Sequence, residues 1–210
     1  MVGRIITCAE DLEEGAAYLS ETCRHLARAY QDTGTLRLRR RAAGFEALLS
    51  AIVSQQVSVA SADAIWAKLD AAGFTNAAAL DDATPEALRA VGLSRQKARY
   101  AKALAAARID YGRLDQAPQD EIVKTLTAVT GIGVWTAEIY AMFSLGRADV
   151  FPSGDLALQE AAKLIYGLDA RPTDKALRAQ AQAWSPWRSV AACLFWQYYA
   201  GAKQREGVRA

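Results

Sequence analysis

The sequence predicts an all-α protein, and three observations carry that prediction. Apolar residues recur at spacings of three and four along most of the chain, the mark of helices with one buried face. Glycines, prolines and small polar residues fall where such helices would begin and end. Alternating strand patterns are nearly absent, with "RIIT" from Arg4 as the one candidate.

Taken in order, Leu12, Ala16, Leu19, Cys23, Leu26 and Tyr30 make the first helical stripe, and Gly34 is its stop. Phe45, Leu48, Leu49, Ile52 and Val53 open a second stripe. It meets the polar break "SQQVS" at Ser54, resumes from Ala60 to Leu69 and has Gly73 beyond. Thr84 as N-cap, Pro85 at the first helical position and Gly92 at the end bound a short helix. Ser94 then caps the basic helix "RQKARYAKALAAAR". From Leu126 the chain reads as helix, tight glycine turn ("TGIG"), second helix, and a polar loop that ends in Asp155. Gly146 and Gly167 read as helix C-caps. "SPW" from Ser185 starts a last helix carrying Trp187, Leu194 and Trp196.

Composition excludes several classes. Of 210 residues, 52% are hydrophobic and 23% charged, an ordinary globular balance rather than a disordered one. The opening "MVGRIITCAEDLEE" lacks the apolar core of a signal peptide, and the apolar run "VAACLFW" from Val190 is too short to span a bilayer. The expectation is a soluble, cytoplasmic protein with no membrane partner. Three scattered cysteines (8, 23 and 193) offer neither a disulfide framework nor a CxxC metal site, and a lone His25 excludes two-histidine zinc sites. Chemistry must rest on carboxylates, lysines or hydroxyls.

The net charge of +2 argues only weakly for a polyanionic partner, but local charge says more. Arg37, Arg39, Arg40 and Arg41 form one basic cluster, and Arg95, Lys97, Arg99, Lys102 and Arg108 another; a solvated helix face is the default reading of such a run. Two glycine turns, "VGLSRQK" at Val91 and "TGIGVWT" at Thr130, each precede a helix N-terminus. Such a turn points unpaired N–H groups and the positive end of the helix dipole at whatever lies in front, which suits a phosphate oxygen. The small size of Gly131 and Gly133 would let a DNA backbone approach. A plain helix–turn–helix connection is the alternative.

"LTAVTGIGVWTAEIYAMFSL" followed by "DVFPSGDLALQ" resembles the helix-hairpin-helix DNA glycosylase superfamily, and more closely its 3-methyladenine-DNA glycosylase II type. "AIVSQQVSVASADAIWAKL" and "VGLSRQKARYAKALA" resemble two further segments of that family, in family order and spacing. The resemblance implies a two-lobed helical fold with a cleft between the lobes. One lobe would run over residues 30–147 and end in the hairpin; the other would pair residues 1–29 with 148–210. It implies a monomeric enzyme acting on double-stranded DNA with alkylated bases, flipping the damaged nucleotide out and hydrolysing its N-glycosidic bond in base excision repair.

Residue by residue, the resemblance makes Asp155 the catalytic carboxylate, although an aspartate before "LALQEAAKL" is also an ordinary N-cap. Asp149 in "RADVF" is its nearest rival and reads as a structural loop residue. Trp135, Ile139 and Leu156 would line the base pocket; the alternative for Trp135 is mere core filler. Trp135 stands where lyase relatives carry a Schiff-base lysine, so a monofunctional glycosylase is implied. Where some relatives have tyrosines, this chain has Ile139 and Leu156. Gln56, with Gln55 beside it, would be the wedge that fills the gap left in the DNA stack, unless the pair is a solvated break between helices. Gly131, Ile132 and Gly133 would bind a DNA phosphate. The backbone carbonyls of Thr127, Val129 and Ile132 would hold a Na+ or K+ ion, with no other cofactor and no iron–sulfur cluster. Two other readings stay open: a non-enzymatic helix-hairpin-helix DNA-binding module, and a glycosylase for other damaged bases.

Overall fold

A computed structural model describes residues 2–207 of the chain. Its regular secondary structure is helical, and the single β-bridge among the described residues pairs Ile5 with Arg147. The chain divides into two compact units, one made of Arg41–Tyr140 and the other of Gly3–Arg40 with the chain from Ala141 on.

The first unit holds α3 (Phe45–Ser54), α4 (Val59–Ala71), α5 (Ala77–Asp82), α6 (Pro85–Ala90), α7 (Arg95–Ala106), α8 (Tyr111–Gln116), α9 (Gln119–Thr127) and most of α10 (Val134–Phe143). The caps are those the sequence announces. The Thr84 and Ser94 side chains accept from the backbone N–H groups of Ala87 and Lys97, and Pro85 opens α6. The apolar face of α7 is the centre of this unit, with α3, α5 and α6 packed on it. Leu48, Leu49, Ile52, Leu69, Leu80, Leu88, Leu104, Ile122 and Leu126 are buried there. Each such side chain contributes roughly 1.5–3 kcal/mol of burial free energy.

The second unit holds α1 (Ala9–Thr22), α2 (Arg24–Thr33), α11 (Leu156–Tyr166), α12 (Asp174–Gln180), a 3-10 turn (Ala181–Trp184) and α13 (Arg188–Gly207). α13 is its axis and packs on α2, α11 and α1. Val190, Ala191, Ala192, Leu194 and Phe195 are all buried, so the apolar run near the C-terminus is the core of a helical bundle. No described helix is long and apolar enough to cross a membrane. Phe151, Trp184 and Phe195 form an aromatic cluster with centroids 4.9–5.7 Å apart. His25 stacks at 4.9 Å on Tyr166.

The first apolar stripe is two helices rather than one. Cys23 adopts an extended conformation (φ −145°, ψ 110°) and ends α1 while starting α2, which lets the two pack against each other. A stripe of period 3.6 survives a one-residue break, so the pattern conceals it.

Candidate active site and nucleic-acid interface

Asp155 is the N-cap of α11. Its Oδ1 accepts hydrogen bonds from the backbone N–H groups of Ala157 at 2.9 Å and Leu158 at 3.1 Å. The indole Nε1–H of Trp196, on α13, donates to the same oxygen at 3.2 Å. Trp196 is steadied in turn by Phe143, whose ring centroid lies 5.7 Å away. The loop leading into Asp155 is pinned as well. Ser153 is fully buried, its hydroxyl donates to Asp174, and its carbonyl accepts from Gln159 Nε2 at 2.8 Å. The result is a half-buried carboxylate at the positive end of a helix, oriented by three donors and followed by Leu156, which is 61% exposed. An N-cap needs only an acceptor oxygen facing the helix N-terminus, so this geometry by itself does not separate capping from chemistry.

Trp196 carries no signal of this role in the sequence. It reads as one more apolar residue of the last helix, 41 positions from its partner.

Asp149 is committed elsewhere. Arg188 donates to both of its oxygens, from Nε at 2.7 Å and Nη2 at 3.0 Å, and the Ser185 hydroxyl donates at 2.8 Å. Burial pushes the Asp149 carboxyl up, but these hydrogen bonds and the Arg188 charge more than reverse that and hold it below the usual carboxylate range. It is a fastener between the loop and α13.

The hairpin joins α9 to α10. Its two glycines differ in their reasons. Gly131 stands at φ 99°, and a Cβ there would lie 2.3 Å from the Tyr100 ring, so the fold itself requires glycine. A Cβ on Gly133 would meet nothing within 4 Å, so packing within the fold does not explain that glycine. Between them Ile132 is buried and anchors the turn. Trp135, 47% exposed, lies in the first turn of α10, with half-buried Ile139 one turn further along the same face.

At the break between α3 and α4, Gln56 has φ 55° and an exposed side chain. Gln55 is half-buried, and its Nε2 donates to the carbonyl of Gly131 at 3.0 Å. Val57 and Val59, beside Gln56, are 39% and 79% exposed.

The basic clusters divide similarly. Lys97 Nζ donates to the Val53 carbonyl at 2.6 Å, and Lys102 Nζ to those of Asp81 and Ala83 at 2.8 and 2.7 Å. Desolvation lowers the Lys97 pKa. Arg40 bonds the carbonyls of Ile6 and Ser144. Arg37, Arg39, Arg95 and Arg99 keep exposed side chains.

Cys8, Cys23 and Cys193 are free thiols. Among the described residues no cluster of His, Cys, Asp or Glu could hold a metal ion. The hairpin carbonyls are a different donor set. Thr127 ends α9, where helix carbonyls lose their intrahelical partners, and the Val129 carbonyl accepts from the Ile132 N–H at 3.0 Å.

Residues 49–186 match the family model described as "HhH-GPD superfamily base excision DNA repair protein". DNA-3-methyladenine glycosylase 1 of Schizosaccharomyces pombe is 29% identical over 162 residues, covering 73% of this chain and 71% of that one. DNA-3-methyladenine glycosylase 2 of Escherichia coli is 30% identical over 166 residues, 72% of this chain and 56% of that one. In three dimensions the chain resembles a DNA-3-methyladenine glycosidase from Bacillus halodurans, with TM-score 0.82 and 30% identity over 96% of this chain and 94% of that one. The S. pombe 3-methyladenine DNA glycosylase in complex with abasic DNA matches with TM-score 0.77 and 27% identity, covering 88% and 95%.

Proposed function

Since the chain belongs to the HhH-GPD superfamily of base excision DNA repair proteins, we propose that it is a monofunctional DNA glycosylase that removes alkylated bases of the 3-methyladenine type. The reaction is hydrolysis of an N-glycosidic bond in DNA. The bond from C1′ to the base nitrogen breaks, the cationic base leaves neutral with the electron pair, and water supplies the new C1′–oxygen bond while losing a proton.

The observation that carries this reading is the setting of Asp155. Three donors on Oδ1 hold its carboxylate in one orientation, so its charge is available without reorganisation when positive charge develops on the sugar. The same carboxylate can orient and deprotonate the attacking water. A non-catalytic DNA-binding module needs no such group.

Trp135 offers an indole face to a cationic base, an attraction worth about 0.5–2 kcal/mol. With no amine, it forms no Schiff base. Ile139 and Leu156 are aliphatic where some relatives have tyrosines, which supports tolerance of bulky adducts as well as small methylated bases. Gly133, open to its surroundings, supports phosphate binding at the hairpin, and the exposed left-handed Gln56 supports the role of plug in the gap left by the flipped nucleotide. The carbonyls of Thr127, Val129 and Ile132 are proposed to hold a monovalent cation. Each carbonyl oxygen has two lone pairs, so the Ile132 N–H occupies only one on Val129. The protein is proposed to act as a monomer.

The test separates base release from strand cleavage. Methylated duplex DNA incubated with the protein should yield free 3-methyladenine with no nicks until alkali is added. Borohydride trapping of a covalent enzyme–DNA adduct would overturn the monofunctional reading. A panel including etheno adducts reads the pocket, and strict restriction to 3-methyladenine would refute the tolerance claim.

A further inference from the structure

The two adjacent glutamines at the break between α3 and α4 have different settings. Gln56 stands in the left-handed region with its side chain exposed. A residue with a Cβ keeps such a backbone only where its surroundings determine it from several sides. Those surroundings are visible. On one side Lys97 Nζ donates to the Val53 carbonyl at 2.6 Å and closes the end of α3. On the other, the Ser58 side chain accepts from the Ser61 N–H and fixes the start of α4. Next to Gln56 itself, Gln55 Nε2 reaches across 76 positions of sequence to the Gly131 carbonyl. Only the amide NH2 can donate to a carbonyl, so the chemistry sets which way the Gln55 amide faces. Its acceptor is equally constrained, because Gly131 is held by its positive φ and by the Tyr100 ring against it.

We propose that Gln55 is a positioning residue, a strut that holds the Gln56 loop at a fixed distance from the hairpin turn at Gly131–Gly133. Gripping a phosphate at the hairpin then sets the depth at which Gln56 enters the base stack. Gln55 acts through Gln56 and touches no DNA while its amide is bound to Gly131. The inference rests on the reading of Gln56 as the plug.

The experiment is a double-mutant cycle on the full-length protein with Gln55→Met and Gln56→Ala. Met matches the length and neutrality of Gln but donates no hydrogen bond. The readouts are affinity for lesion and undamaged duplexes, 2-aminopurine fluorescence beside the lesion as a signal of flipping, and single-turnover excision. Gln55→Met is expected to lower the lesion-to-undamaged affinity ratio and the flipping signal on the order of 10-fold, the scale of one lost hydrogen bond. Affinity for undamaged DNA and the melting temperature should stay near wild type. In the Gln56→Ala background the same change should have almost no further effect, since coupled residues are not additive. Multiplicative losses would mean that Gln55 meets DNA independently and would overturn the strut, as would wild-type discrimination by Gln55→Met. Gln56→Ala alone reports on the plug, because wild-type discrimination by that variant removes the plug whatever Gln55 does. Should Gln55→Met melt several degrees lower, Gln55→Ala replaces it in the cycle with the same expectations.

Discussion

Asp155→Asn separates the two uses of one carboxylate. The three protein donors described at this residue, the N–H groups of Ala157 and Leu158 and the indole of Trp196, converge on Oδ1 at 2.9, 3.1 and 3.2 Å. An asparagine carbonyl oxygen can keep all three, and Asn is about as good an N-cap as Asp. What disappears is charge. The lost attraction to the helix dipole is about 0.3–1 kcal/mol, and the hydrogen bonds weaken from charge-assisted to neutral. A loss near 1 kcal/mol corresponds to roughly 2–4 °C in melting temperature for a chain of this size. Catalysis is affected on another scale. Loss of a positioned acid–base group costs on the order of 10²- to 10⁴-fold, which is about 3–5 kcal/mol of transition-state stabilisation. The assay is single-turnover base release, read beside a melting curve and lesion-DNA binding. Cationic methylated bases depart slowly unaided, so a neutral lesion should be included to expose the full loss. A folded, DNA-binding Asp155→Asn protein that excised at near wild-type rate would refute the catalytic role and leave Asp155 as a cap.

Three further outcomes are expected. Trp196→Phe removes the third donor to Asp155 while keeping an aromatic ring against Phe143, and should slow single-turnover excision on the order of 10-fold with DNA affinity unchanged; an unchanged rate would show the indole to be packing only. Gly131→Ala should destabilise by about 2–4 kcal/mol in urea unfolding through its positive φ and the Tyr100 contact, whereas Gly133→Ala should fold normally and lose about 10-fold in DNA affinity; equal effects of the two would refute the distinction. Asp149, whose folded pKa is depressed, contributes stability that is present above the ordinary carboxyl value of about 3.9 and is lost as pH falls through the folded value. Asp149→Asn should therefore cost about 2 kcal/mol at pH 7, and its urea midpoint should converge on wild type as pH drops below 4; a constant gap would refute the ion pair's contribution.

The features legible in the sequence are those whose partners lie within a turn or two along the chain. Ser94, Thr84 with Pro85, and Asp155 each bond a backbone N–H two or three positions ahead, so cap chemistry and spacing suffice to place them. Buried stripes such as Leu48–Val53 follow from helical period alone, and the motif at Thr130–Ala137 carried the family. Short elements escaped. α5 and α8 have six residues each, less than two turns, and show no period to read. The Cys23 break escaped for the opposite reason, because the stripe runs through it undisturbed. Whatever depends on the distance between remote side chains was decided by tertiary packing. Lys97 reads as part of a basic patch until α7 packs on α3 and brings it to the Val53 carbonyl. Trp196 reads as core until α13 packs on α11 and sets its indole against Asp155. Gln55 and Gln56 are the same residue type side by side, and nothing local distinguishes them. One meets the Gly131 carbonyl and the other is left exposed in a left-handed turn, because only the packed fold carries the hairpin to that place.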